Sequence, residues 1–255
     1  MSLLWRLASI VSWCLALVAL TVVQPILLAV LLATRGSDPE RRRVGRMFHG
    51  MGVFIVGLQP WVRVRVEQRA TSPFREPCII VSNHESDADV FVSSWLAPRG
   101  WNAKYLSKHE LFRLPLVGWG MRMAGDIEVV RTDRRSRAEA MVHCRRWLER
   151  GVPVVIFPEG TRSRSGEMAP FKDGAFRLAI ELGVPIQPIV FAGTRDALPP
   201  GRFLMRPARV TLSILEPIPV TGLTVSDAPA LAARVQALVL AERDAMRAEH
   251  AARRG

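Results

Sequence analysis

The sequence predicts an α/β protein, with one layered domain whose largely parallel or mixed sheet is flanked by helices, preceded by an apolar, membrane-associated helical element. Three observations carry that expectation. After Val62, short apolar runs alternate with amphipathic stretches of helical length. The runs Cys78–Ser82, Val152–Phe157 and Ile186–Phe191 are continuous rather than alternating, as strands buried on both faces require. From Leu7 to Thr34 no charged residue occurs, and arginines crowd the stretch that follows.

The uncharged run is 28 residues long, and about 20 apolar residues cross a bilayer. A secretory signal has an apolar core of only about 7–15 residues, so that reading fits poorly. Gln24-Pro25 in the middle leaves a kinked, half-inserted helix or a buried soluble one open. Met47–Val62 is shorter and holds Gly50, Gly52, Gly57 and Pro60, which suits an interfacial or re-entrant helix. Arg35, Arg41, Arg42, Arg43 and Arg46 lie between the two segments. They fit the positive-inside rule or a patch at headgroup level, and either way the rest of the chain is expected at the cytoplasmic face of the inner membrane. The division is therefore an anchoring element over 1–62 and an α/β domain over 63–255.

Within that domain Val62–Val66 alternates with period two and reads as a strand with one solvated face. A strand at Cys78–Ser82, a helix over Asp89–Leu96 and a short strand at Ile127–Val130 follow. Then come a helix over Ser136–Arg150 closed by Gly151 and the buried strand Val152–Phe157. A helix over Phe171–Leu182 stops at Gly183, and strands at Ile186–Phe191 and Val210–Leu215 lead to a long helix, Ala228–Ala252.

Composition narrows the partners. The chain of 255 residues has a net charge of +12, and only three of its 35 basic residues are lysines (Lys104, Lys108, Lys172). Arginine forks match phosphate, so an anionic lipid, a phosphorylated substrate or an acidic protein is the expected partner. No basic stretch is interleaved with regularly spaced aromatics, so nucleic acid is not expected. Cys14, Cys78 and Cys144 are scattered, with no CxxC and no Cys/His cluster. Neither a disulfide framework nor a metal site is expected, and no organic cofactor is called for.

Four constellations carry chemistry. In Asn83-His84-Glu85-Ser86-Asp87-Ala88-Asp89, directly after a buried strand, a histidine stands beside carboxylates. Such an imidazole can take a proton from an alcohol while a carboxylate fixes its tautomer. Asp89 fits that role if it begins the next helix and turns back; Asp87 is a rival, and Ser86 or Asp87 would cap the helix. The stretch Phe157-Pro158-Glu159-Gly160-Thr161-Arg162-Ser163 follows a second buried strand. Gly160 permits a tight turn with exposed N–H groups, and Thr161, Arg162 and Ser163 add donors, a combination suited to phosphate or to a plain polar turn. Lys172 and Gly174 extend it. Gly125 to Arg131 sets an arginine at a strand end, and Val184-Pro185-Ile186-Gln187-Pro188-Ile189 reads as a strand entry.

In this order and spacing the four blocks resemble the PlsC-like 1-acylglycerol-3-phosphate (lysophosphatidate) acyltransferases. The NHxxxxD, GxxxxxR, FPEGTRS and VPIxPI patterns are all met between His84 and Ile189. The resemblance implies acyl transfer from acyl-carrier protein or coenzyme A to the hydroxyl of a lysophospholipid, 1-acylglycerol-3-phosphate above all. It implies His84 as general base and Asp89 as its orienting partner. Arg131, Glu159, Gly160, Thr161, Arg162 and Lys172 would bind the acceptor. Glu85, Asp87, Ala88 and Glu128 depart from the usual pattern and leave the acceptor open, a lyso-ornithine lipid included. A non-catalytic membrane-anchored binder of anionic lipid and a lipid hydrolase are the rival classes.

Overall fold

The computed structural model describes residues 3–74, 77–99, 101–163 and 166–253. Its elements are α1 (Leu3–Ala33), α2 (Arg42–Gly57), β1 (Val62–Gln68), β2 (Ile79–Ser82), α3 (Ala88–Ser93) and a 3-10 turn (Ser94–Arg99). There follow β3 (Lys104–Lys108), α4 (His109–Phe112), α5 (Val117–Ala124), β4 (Ile127–Val129), α6 (Arg134–Glu149) and β5 (Val154–Ile156). The chain closes with α7 (Gly174–Leu182), β6 (Ile186–Ala192), α8 (Thr194–Ala197), β7 (Ala208–Ile214), a 3-10 turn (Val225–Asp227) and α9 (Ala228–Ala252).

The strands form one seven-stranded sheet in the order β1-β7-β6-β2-β5-β3-β4. Every pairing is parallel except β6 with β7, so the sheet is mixed, as expected. Residues of β2, β5 and β6 are buried almost throughout, because helices cover both faces. On one face α6, α7 and α9 pack over Ile79, Val81, Val154, Ile156 and Val190. On the other, Ala16 of α1 and Ile55 and Val56 of α2 share a cluster with Ile80, Val155, Ile189 and Val210. Each fully buried aliphatic or aromatic side chain contributes about 1.5–3 kcal/mol.

Three departures from the expected elements have local causes. The helix after α1 begins at Arg42 rather than Met47, because both Asp38 carboxylate oxygens accept its first free N–H groups, from Arg42 (2.9 Å) and Arg43 (2.7 Å). Two of the arginines assigned to headgroups tie this helix to the sheet body instead: Arg41 donates to the Arg122 carbonyl and Arg42 to that of Gly151. The helix expected over Asp89–Leu96 is α-helical only to Ser93 and then tightens to a 3-10 turn containing Pro98. Strand β3 was not expected at all. Lys104 at its head is fully buried, donating from Nζ to the carbonyls of Ala124 (2.6 Å) and Arg41 (3.2 Å). Burial lowers its pKa to about 8.

α1 is long and apolar enough to cross a membrane, and only 17% of its most apolar window is buried against the protein. Leu7, Val11, Leu17, Val18, Val22 and Leu32 all stand exposed on it. Such a surface is unfavourable in water and stable in lipid.

Candidate active site

The ends of β2, β5 and β6 and the beginning of β7 meet at one edge of the sheet, where open α/β folds place their ligands. The turn after β2 is pinned first by Asn83. Its amide donates to the Phe191 carbonyl (2.8 Å) and accepts from the Phe191 N–H (2.9 Å), extending the pairing of β2 with β6 by a side chain. His84 follows. Its Nδ1 lies 2.8 Å from Asp89 Oδ2, and Asp89 is fully buried at the start of α3. The same oxygen accepts the backbone N–H groups of Glu85 (2.8 Å) and Ser86 (2.9 Å). An ionised carboxylate offers only lone pairs, so Nδ1 carries the proton and Nε2 is left with its lone pair free to act as a base. Phe157 stacks on the imidazole at 4.1 Å and fixes its plane. Ser86 holds the helix start, accepting from the Ala88 N–H and donating to the Leu198 carbonyl.

Asp87, the rival orienter, lies elsewhere. It is exposed and ion-pairs with Arg162 of the loop after β5. That loop closes over the catalytic turn: Ser163 N–H donates to the His84 carbonyl (3.0 Å), and the Glu159 carboxylate accepts the His84 N–H (2.7 Å). The second Glu159 oxygen accepts from Ala169 N–H (3.0 Å). Both oxygens are thus engaged by backbone, and the side chain is only 4% exposed. Burial raises its carboxyl pKa, and the two N–H donors pull it back. In this geometry Glu159 bridges two loops through backbone N–H groups.

Around that bridge lie the cations. Gly160 has φ +74°, and a Cβ there would come within 2.6 Å of Lys172 Nζ, so the ammonium lies directly over the turn. Arg131, after β4, feels the positive charge of Arg162 and the negative charge of Glu110, and burial lowers its pKa. Thr161 is exposed beside them. Arg131, after β4, thus lies near Arg162 of the β5–α7 connection, whose Lys172 covers the Gly160 turn. Among the described residues no group of three or more His, Cys, Asp or Glu side chains is arranged to hold a metal ion.

The partners of one charge beside the site were not legible in the sequence. Glu85 is buried beside the His–Asp pair, where its Oε1 accepts from Arg247 (2.8 Å) and lies 4.0 Å from Arg243, both on α9. Arg243 sits within the apolar stripe of α9 and reads from sequence as one more surface charge. Burial pushes the Glu85 carboxyl up to about 7 against the pull of both arginines, with Asp89 adding to the rise. The folded chain therefore binds this proton more tightly than the unfolded one. The group's contribution to stability is greatest below about pH 4.5 and is lost as pH rises to about 7. Thermal melts of wild type and Glu85→Gln should diverge across that window, the wild type falling relative to the variant. A constant difference between the two across it would contradict this assignment.

Residues 63–192 match the family model described as Acyltransferase. The chain is 34% identical over 207 residues to a 1-acyl-sn-glycerol-3-phosphate acyltransferase of Limnanthes douglasii, covering 80% of this chain and 71% of that one. It is 36% identical over 147 residues to a chloroplastic 1-acyl-sn-glycerol-3-phosphate acyltransferase of Brassica napus, covering 57% of this chain. The match takes in only 42% of the Brassica protein, so the chain spans less than half of that relative. Among solved structures, the 1-acyl-sn-glycerophosphate acyltransferase PlsC of Thermotoga maritima superimposes with a TM-score of 0.79 at 26% identity, over 95% of both chains. A histidine oriented by a buried aspartate, a basic loop closed over it and these likenesses agree: the chain belongs to the acyltransferase family.

Proposed function

We propose that this protein transfers a fatty acyl group from a thioester, of coenzyme A or of acyl-carrier protein, to the free hydroxyl of 1-acylglycerol-3-phosphate at a membrane surface. The observation that carries the reading is the buried Nδ1–Asp89 contact, which leaves Nε2 as a base next to a cluster of three cations. Nε2 removes the hydroxyl proton as the oxygen attacks the thioester carbonyl. The tetrahedral intermediate collapses with loss of the thiolate, which takes the proton back from the imidazolium. Asp89 stabilises that imidazolium without leaving its three N–H partners. Arg162 and Lys172, with Arg131, hold the acceptor phosphate, and Gly160 keeps a side chain out of its path. α1 and the anionic lipids of the inner leaflet keep the domain on the cytoplasmic face, where a lysolipid can reach the site from the bilayer.

The test is a labelled lysolipid incubated with purified protein, with and without acyl-thioester. Diacyl product only in the presence of thioester is the expected result. Free fatty acid released by water instead would establish the hydrolase. Arg162→Ala should raise the KM for the phosphate-bearing acceptor about tenfold or more, the size of a lost charge-assisted hydrogen bond. An acceptor without phosphate should be used equally well by variant and wild type.

A further inference from the structure

Where α9 passes the catalytic turn, its buried stripe changes character. The stripe is apolar through Leu231, Val235 and Val239, and the next position at the same spacing is Arg243. That residue is only 4% exposed. Its guanidinium donates to Asp244 (2.8 and 2.9 Å), reaches the Gly166 carbonyl at 3.4 Å and lies 4.0 Å from Glu85. Arg247, one turn further on, donates to Glu85 Oε1 at 2.8 Å. Glu85 departs from the usual pattern of its block, and both of its cationic partners lie outside all four blocks.

Stability alone is a poor account of this cluster. Taking two charges out of water costs about as much as their attraction returns, and an apolar pair of similar volume is commonly as stable. What a buried ion pair adds is a fixed direction. The Glu85 backbone N–H donates to Asp89 Oδ2 (2.8 Å), the oxygen that also meets His84 Nδ1, while the Glu85 carboxylate is held by α9. Fixing that side chain therefore fixes the peptide aimed at Asp89. The same helix reaches the covering loop. Gly166, whose carbonyl faces Arg243, donates its N–H to Ser163 Oγ (2.9 Å), and Ser163 N–H donates to the His84 carbonyl (3.0 Å). A helix 162 residues further along the chain thus grips both the turn that carries the base and the loop that closes over it.

We infer that Arg243 and Arg247, acting through Glu85, are positioning residues for the base: the C-terminal part of α9 fixes how Asp89 meets Nδ1 and so aims Nε2 of His84. The inference rests on the role given to His84 in the acyl-transfer reading above. The three residues act through the Glu85 peptide and the Ser163–Gly166 turn rather than on the reacting atoms.

Arg247→Met is the first test, because this side chain is 37% exposed and its loss leaves Arg243 beside Glu85, so the chain still folds. It should lower kcat about tenfold, with the KM for lysolipid and for thioester within about twofold. Arg247→Lys keeps a cation and a donor and should recover most of the loss. In Glu85→Met/Arg247→Met the ion pair gives way to apolar groups: the melting temperature should match or exceed that of wild type, while kcat stays about tenfold down. Activity that returns with the melting temperature overturns the proposal, since the pair then merely holds the fold. So does wild-type kcat in Arg247→Met, or a rise in KM alone, which would make the cluster a substrate site. A second reading needs no substrate. The downfield proton resonance of His84 Nδ1–H, identified by its absence in His84→Ala, should shift in Arg247→Met; an unmoved resonance overturns the proposal even where turnover falls. If the resonance moves and the wild type forms no diacyl lipid with any thioester, the positioning stands and the acyl-transfer reading falls.

Discussion

Replacing His84 by Ala is expected to lower kcat/KM for acyl transfer by about 10³-fold, roughly 4 kcal/mol of transition-state stabilisation, while the protein stays folded and membrane-bound. Among the described residues the side chain stacks on Phe157 and hydrogen-bonds Asp89 alone, so its loss removes one base and little architecture. Asp89→Asn should cost a similar factor for a different reason. An amide in place of the carboxylate no longer fixes the proton on Nδ1, and the imidazolium formed on attack loses its counter-charge. Asp87→Asn separates the two aspartates: Asp87 pairs with Arg162, not with His84, so its loss should act on acceptor binding and leave kcat within a few-fold. Rates measured with saturating thioester, together with circular dichroism of each variant, decide the matter. His84→Ala retaining more than a tenth of wild-type turnover would remove the histidine from the mechanism.

Glu159→Gln is expected to lower stability by about 2–3 kcal/mol and kcat by about a hundredfold, with the acceptor KM nearly unchanged. The carboxylate accepts one N–H on each oxygen, from His84 and from Ala169. An amide has one oxygen only, so its NH2 would face a backbone N–H in a site 4% exposed. One buried bond is lost and two donors oppose each other. Because the lost contact is to the His84 backbone, the displacement is passed to the base itself. Were Glu159 a ligand for the acceptor, KM would rise instead. Chemical denaturation and the split between kcat and KM distinguish the two roles.

The elements that could be read from the chain were those whose burial is uniform. Ile79–Ser82, Val154–Ile156 and Ile186–Ala192 are apolar on both faces because both faces are covered. β3 escaped notice because its burial depends on distant groups. Lys104 can be buried only because the carbonyls of Ala124 and Arg41 accept its protons and Trp147 lies 5.2 Å from its ammonium. The same holds for Arg243, buried in α9 opposite Glu85.

At the site, chain order alone brought His84, Asp89, Arg131, Arg162 and Lys172 forward, since each falls in a block of recognisable pattern just beyond a strand or helix start. It could not choose between Asp87 and Asp89, which lie two residues apart in one turn. The turn's backbone decided that, by directing the N–H groups of Glu85 and Ser86 onto Asp89 and leaving Asp87 to Arg162. Nor could it foresee that both Glu159 oxygens are engaged within the protein, because the donors they meet are backbone groups with no residue signature. Sequence by itself determined the α/β layering and the apolar N-terminal helix, both set by local pattern, and pointed to His84 as the base proposed above. Tertiary structure decided the partner of every buried charge, because a charge leaves water only where folding brings groups far apart in sequence to receive it.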